Sequence, residues 1–164
     1  MNPLVCPPRS VMKFLWLGVF ACLIAPSLSA TTVVVGTCRN LVHFTTIQAA
    51  LNASPAGTTI DICPGTYAEQ LSIARSVALT GVANGTSDAV IIVPPAGGLV
   101  ANTTSLSSGN PIAAHIWALG VSTFNLSNVI VDSIGNHIFA CTPDLIGILY
   151  QNSSGTMNHV VTRN

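Results

Sequence analysis

The chain has 164 residues, with five Lys or Arg, five Asp or Glu and four His, and no formal net charge at neutral pH. That length accommodates one domain with a real core and gives no reason to divide it. So few cations leave no basic stripe to neutralise phosphates, which argues against nucleic-acid binding. Thr, Ser, Asn and Gly must cover the surface instead, a composition that favours strands and turns over helices.

Residues 1–30 differ from the rest. Lys13 precedes the apolar run Phe14 to Ile24, and Ala25-Pro26-Ser27-Leu28-Ser29-Ala30 follows as a small-residue cleavage region. The pattern predicts a secretory signal peptide removed after Ala30, and hence a secreted or cell-envelope protein. Met12, directly before Lys13, is a more ordinary start for such a signal than Met1. A membrane anchor and lipidation at Cys22 are the alternatives. The apolar run is shorter than the roughly 20 residues a spanning helix needs, so no stable membrane span is expected.

Three cysteines then remain, Cys38, Cys63 and Cys141, and export would place them where disulfides persist. Cys38 and Cys63 flank a candidate helix. A bridge between them would close a loop of about 25 residues and contribute roughly 3 kcal/mol in the chain-entropy picture. Zinc is the rival, but there is no CxxC pair and no histidine at ligand spacing beside either cysteine. Cys141 is left as a buried free thiol or the partner of a cysteine outside this chain.

Thr31 to Val35 predicts a short strand ending at Gly36. Thr45 is the expected N-cap of a helix over about 45–53, with Gln48 completing a capping box and Ile47, Ala50 and Leu51 on one face. Pro55 and Gly57 end it. A helix of two turns must lie on something apolar, and capping the open end of a strand stack is the role that suits it. Ile60 and Ile62, Leu71 and Ile73, and Val77 and Leu79 then alternate as short strands. Pro64-Gly65-Thr66, Ala74-Arg75-Ser76 and Gly81 with Asn84-Gly85 are the breaks between them. An antiparallel sandwich and a parallel solenoid both fit this rhythm, and the lack of two-residue hairpin signals favours the solenoid.

Val90 to Val93 is a further strand, and residues 94–111 are expected to form a long loop protruding from the stack. Ile116 to Leu119, Phe124 to Val131, Ile146 to Tyr150 and Thr156 to Thr162 supply the remaining strands. A weak repeat lays Leu126 to Asp132 over Met157 to Arg163. Because strand-like residues run up to Asn164 without a polar cap, a chain continuing beyond residue 164 is expected.

Four stretches together resemble the N-terminal pattern of pectin lyase-like right-handed parallel β-helix proteins: Phe44 to Leu51, Pro55 to Ile60, Pro64 to Tyr67 with Glu69, and Val77 to Gly81. They are particularly similar to the opening of pectin methylesterases and of uncharacterised secreted bacterial β-helix proteins. The close match covers about forty residues, from Phe44 to Gly81. It implies an all-β, right-handed parallel β-helix over residues 31–164 with a short N-terminal capping helix. Gly65 and Gly81 would then be corner residues with positive φ.

The same resemblance implies a polysaccharide-active outer face, with paired aspartates in esterases or calcium-binding acidic clusters in lyases. Asp132 lies where an esterase-like strand would carry an aspartate, but the expected Gln-Asp dipeptide is absent and residues 128–133 read NVIVDS. Asp144, after Pro143, is the lesser catalytic candidate. No Asp-x-Asp occurs, so no metal site is expected, and nothing points to a cofactor. The histidines are scattered singly and read as corner or surface residues. Trp117 and Tyr150 are candidates for stacking on sugar rings, with burial as the alternative for Trp117. The expected partner is an extracellular, pectin-like polysaccharide or a cell-surface component. A non-catalytic, adhesin-like scaffold is the second possibility.

Overall fold

In the computed structural model, residues 31–83 and 89–164 are described; the expected signal peptide lies outside them. The elements run β1 (Thr32–Val35), β2 (His43–Phe44), α1 (Ile47–Ala53), β3 (Thr58–Ile62), β4 (Gly65–Ala68), β5 (Leu71–Ile73), β6 (Val77–Gly81), β7 (Val90–Val93), β8 (Thr103–Thr104), β9 (Pro111–Leu119), β10 (Phe124–Asp132), β11 (Asp144–Gln151) and β12 (Gly155–Arg163). Every strand pairing among the described residues is parallel except that of β8 on β9. Parallel neighbours of such short strands require the chain to coil, and the molecule is a right-handed parallel β-helix.

Each coil visits three faces. One stacks β1, β3, β6 and the first halves of β10 and β12; a second stacks β4, β7 and their second halves; a third stacks β5, β9 and β11. Inward side chains form columns. Ile60, Leu79, Leu126 and Met157 stand in register on successive strands, and the first three are almost wholly buried. Leu71 and Ile116 continue the same core on the third face. The repeat expected from Leu126 to Asp132 over Met157 to Arg163 is the observed pairing register.

Four local details correct or add to these expectations. First, Pro64-Gly65-Thr66 is not all turn: the corner is finished by Pro64, and β4 begins at Gly65 and pairs with β7. Second, β10 and β12 are not flat. Each bends from one face to the next at a single left-handed residue, Asn128 (φ 57°) and His159 (φ 51°), and the ladder places these two side by side. Asn accepts this conformation more readily than most residues. Third, Gly81 is not among the positive-φ glycines. It is required because a Cβ there would lie 2.0 Å from the Asn128 carbonyl oxygen. Fourth, residues 94–111 are not all loop: β8 pairs with β9, and β9 already begins at Pro111.

The helix starts one residue later than expected. Thr46 is the N-cap, its hydroxyl accepting from the Ala49 N–H. Gln48 does not reach back to the cap. Its amide instead donates to the Ser72 carbonyl (3.1 Å) and accepts from the Ser72 N–H (2.9 Å), acting as a substitute strand against β5. Glu69 completes the helix start, its two carboxylate oxygens accepting from the Ile47 and Gln48 N–H groups at 2.8 Å each. A carboxylate there also complements the positive end of the helix dipole. The α1 face carrying Ile47, Ala50 and Leu51 is buried, so this end of the core is covered.

Candidate functional site

The third face and the segment strapped over it bring together several polar side chains with partners far away in sequence. Gln151, at the end of β11, is 7% exposed and binds three groups at once. Its Oε1 accepts from the Trp117 indole N–H (2.9 Å) and the Thr103 hydroxyl (2.8 Å), and its Nε2 donates to the Thr104 carbonyl (2.9 Å). Gln70 and Asn102 extend the strap by donating to the Ala114 carbonyl, while the Gln70 amide also pairs with the backbone of Val100. These amides hold residues 100–104 against β9 as strand substitutes do. Trp117 is therefore half-buried and hydrogen-bonded.

Tyr150 is also half-buried. Its ring packs on Phe124 at 5.3 Å between centroids, and its hydroxyl donates to the Phe124 carbonyl at 3.0 Å. Burial pushes its pKa up to about 12. Both sugar-stacking candidates thus hold packing positions, with their polar atoms engaged by the protein itself.

Asp132 ends β10 opposite Arg163 of β12. Its Oδ2 accepts from Arg163 Nε (2.8 Å), and its Oδ1 accepts from Asn164 Nδ2 (2.8 Å) and the Ile134 N–H (3.1 Å). These donors, Asn164 first, hold the carboxyl below the usual range against the opposing effect of burial. Asp132 is ionised at neutral pH and cannot serve as a general acid there. Beside it, Ser133, Leu145, Gly147, Thr162, Arg163 and Asn164 line a hollow of about 220 Å³. Asp144 is exposed at the start of β11. The two aspartates share no hydrogen bond among the described residues, and Arg163 rather than a second carboxylate is the charged partner of Asp132.

Cys38 and Cys63 form the expected disulfide, with Cα atoms 5.6 Å apart. Cys141 is exposed and free rather than buried. His115 departs from the expectation of a corner or surface residue: it is fully buried. Its Nε2 lies 3.0 Å from the Glu69 carbonyl oxygen and its Nδ1 3.3 Å from the Ser133 hydroxyl. It bridges one coil to another along the corner, and burial lowers its pKa. The single apolar-flanked His in β9 was the available signal, but its partners lie 46 and 18 residues away. Among the described residues no cluster of three or more His, Cys, Asp or Glu could hold a metal, and no helix is long and apolar enough to cross a membrane.

The class these features define is a disulfide-braced parallel β-helix with a capped first coil. No protein-family model and no curated protein matches the sequence. Among solved structures, that of a pectin methylesterase in complex with hexasaccharide VII superposes with a TM-score of 0.55 at 17% identity, over 80% of this chain. This chain spans 42% of the neighbour's length. The likeness supports the β-helix fold that the Phe44 to Gly81 pattern resembles.

Proposed function

We propose that this protein is exported, with residues 1–30 as a cleaved signal, and that it binds a pectin-like extracellular polysaccharide on the third face of the helix and the loops beside it. The observation that carries this is the fold likeness to a pectin methylesterase solved with a hexasaccharide. The Cys38–Cys63 bridge supports an oxidising compartment. Binding without turnover suits these residues best. Asp132 has its oxygens occupied by Arg163, Asn164 and Ile134, and it lacks the second carboxylate that acid–base work on an ester or glycoside requires.

Affinity electrophoresis of the purified protein through gels containing pectin tests the reading, with methanol release and unsaturated products followed in parallel. The expected result is retarded migration with neither product. Free migration through pectin and other wall polysaccharides would replace this reading with the non-catalytic display scaffold. Methanol release abolished by Asp132→Asn would instead make Asp132 a catalytic residue.

A further inference from the structure

Two long connections meet on one side of the stack: residues 94–110, after β7, and residues 133–143, after β10. They are tied together. The Leu99 N–H donates to the Asn136 carbonyl at 2.9 Å, and a Cβ on Gly98 would lie 2.7 Å from that same oxygen, so the two backbones touch. The second connection is also held from within, because the Asn136 amide donates to the Ser133 carbonyl (2.9 Å) and accepts from the Ile138 N–H (2.8 Å).

On this anchored frame Phe139 is 94% exposed. Its ring stacks with that of His137, centroids 6.2 Å apart and planes 18° from parallel. Leu99, Val100, Ile138 and Pro143 bound a hollow of about 510 Å³ beside the two rings, within the roughly 300–1,000 Å³ of small-ligand sites. A large apolar ring held in water on an ordered loop forgoes burial that would have stabilised the fold, and Val100 and Ile134 nearby are each 64% exposed.

Charge selects among ligands. The hollow is lined by no Lys, Arg, Asp or Glu. The three arginines among the described residues are each engaged elsewhere: Arg39 with Asp61 at 2.7 Å, Arg163 with Asp132 at 2.8 Å, and Arg75 with the Ser54 carbonyl at 2.8 Å. A free uronate would lose hydration here without meeting a lysine or arginine. The apolar face of an uncharged pyranose would meet an aromatic plane of matching size and polarity.

We propose that Phe139, backed by His137, is a stacking platform for an uncharged sugar unit, so that the polysaccharide is held at esterified or neutral residues rather than at free uronates. This rests on the polysaccharide-binding function proposed above. Titration calorimetry with methyl-esterified and free hexagalacturonate, on the wild type, Phe139→Ala and Phe139→Trp, tests it. The esterified hexamer should bind at least about tenfold more tightly than the free acid, Phe139→Ala should lose about tenfold, and Phe139→Trp should retain affinity.

Because Phe139 is so exposed, both variants should keep the wild-type circular dichroism spectrum. Unchanged binding by Phe139→Ala overturns the platform while leaving polysaccharide binding in place. Equal affinity for the two hexamers overturns the selection against charge. A wild type that binds neither hexamer nor any wall polysaccharide removes the function itself. A dimer that Phe139→Ala dissolves, with sugar binding untouched, makes the patch a contact between two copies instead.

Discussion

Within residues 31–164 the first coil and the one ending in β12 are built on the same inward pattern, yet they are covered differently. At the first coil α1 lies over the core, Gln48 covers the backbone of β5, Glu69 closes the helix start and the Cys38–Cys63 bridge braces the corner. At β12 no further layer lies against the strand within these residues, and its side chains are almost all exposed there, Met157 to 57% and Val161 to 49%. Side-chain pattern sets the register of a coil, but the contribution of a residue depends on whether another layer lies against it.

The Ile60, Leu79, Leu126, Met157 column tests that difference within one line of side chains. Leu79→Ala removes buried methyl groups flanked on both sides and should cost about 2–5 kcal/mol. In the 164-residue chain Met157→Ala, with no further strand against it, should cost less than about 1 kcal/mol. Urea denaturation of the two variants measures both. Comparable losses would mean that Met157 is covered in solution and that the two ends are alike.

The brace at the capped end gives the next effect. Replacing both Cys38 and Cys63 by serine should lower stability by roughly 3 kcal/mol, the loop-closure contribution of a bridge spanning 25 residues. The Asp132–Arg163 pair that ties β12 to β10 should contribute far less, because Arg163 is half-exposed and its ion pair is screened. Asp132→Asn should therefore lower stability at neutral pH by only about 1 kcal/mol or less, the same contribution that the wild type loses in acid. A loss as large as that of the disulfide variant would show that the last coil is anchored as firmly as the first.

What could be read in the sequence follows the same division. Thr58 to Gly81 alternates with period two and is punctuated by Pro, Gly and Ser, so β3, β5 and β6 and their inward residues were legible from neighbours within a few positions, whereas β4, which starts at the glycine of a turn-like Pro-Gly-Thr, was not. The helix was legible too, though its cap was not. Thr45 and Thr46 are both suitable caps, and the choice is made by Glu69, which lies 22 residues from the Ile47 N–H it accepts from. Asn128 and His159 look like interior strand residues because nothing in their flanks announces a left-handed corner. Gln151 and His115 act through partners 18 to 48 residues away, which no local pattern encodes. Phe139 is conspicuous only once its exposure is known.

His115 separates the two regions by pH. The carbonyl oxygen of Glu69 can only accept, so the proton of the neutral imidazole sits on Nε2, and Nδ1 accepts from the Ser133 hydroxyl. Burial disfavours the imidazolium; the carbonyls of Val93 and Glu69 and the charge of Asp132 oppose this but do not cancel it. The folded pKa therefore lies below the unfolded value of about 6.5, and between the two the unfolded chain holds more protons. This contribution is complete above about pH 6.5 and is lost as pH falls toward the folded pKa, with a slope of at most about 1.4 kcal/mol per unit. Asp132, whose folded pKa is also lowered, acts in a separate window: its contribution is present above about pH 4 and is lost only below that. Urea midpoints measured from pH 8 to pH 3 should thus show two falls. His115→Gln should flatten only the one near neutrality, and Asp132→Asn only the acidic one. A wild-type midpoint unchanged between pH 7.5 and pH 5 would mean that the corner admits enough water to solvate the charged imidazole, and that the interior coils are no drier there than the last.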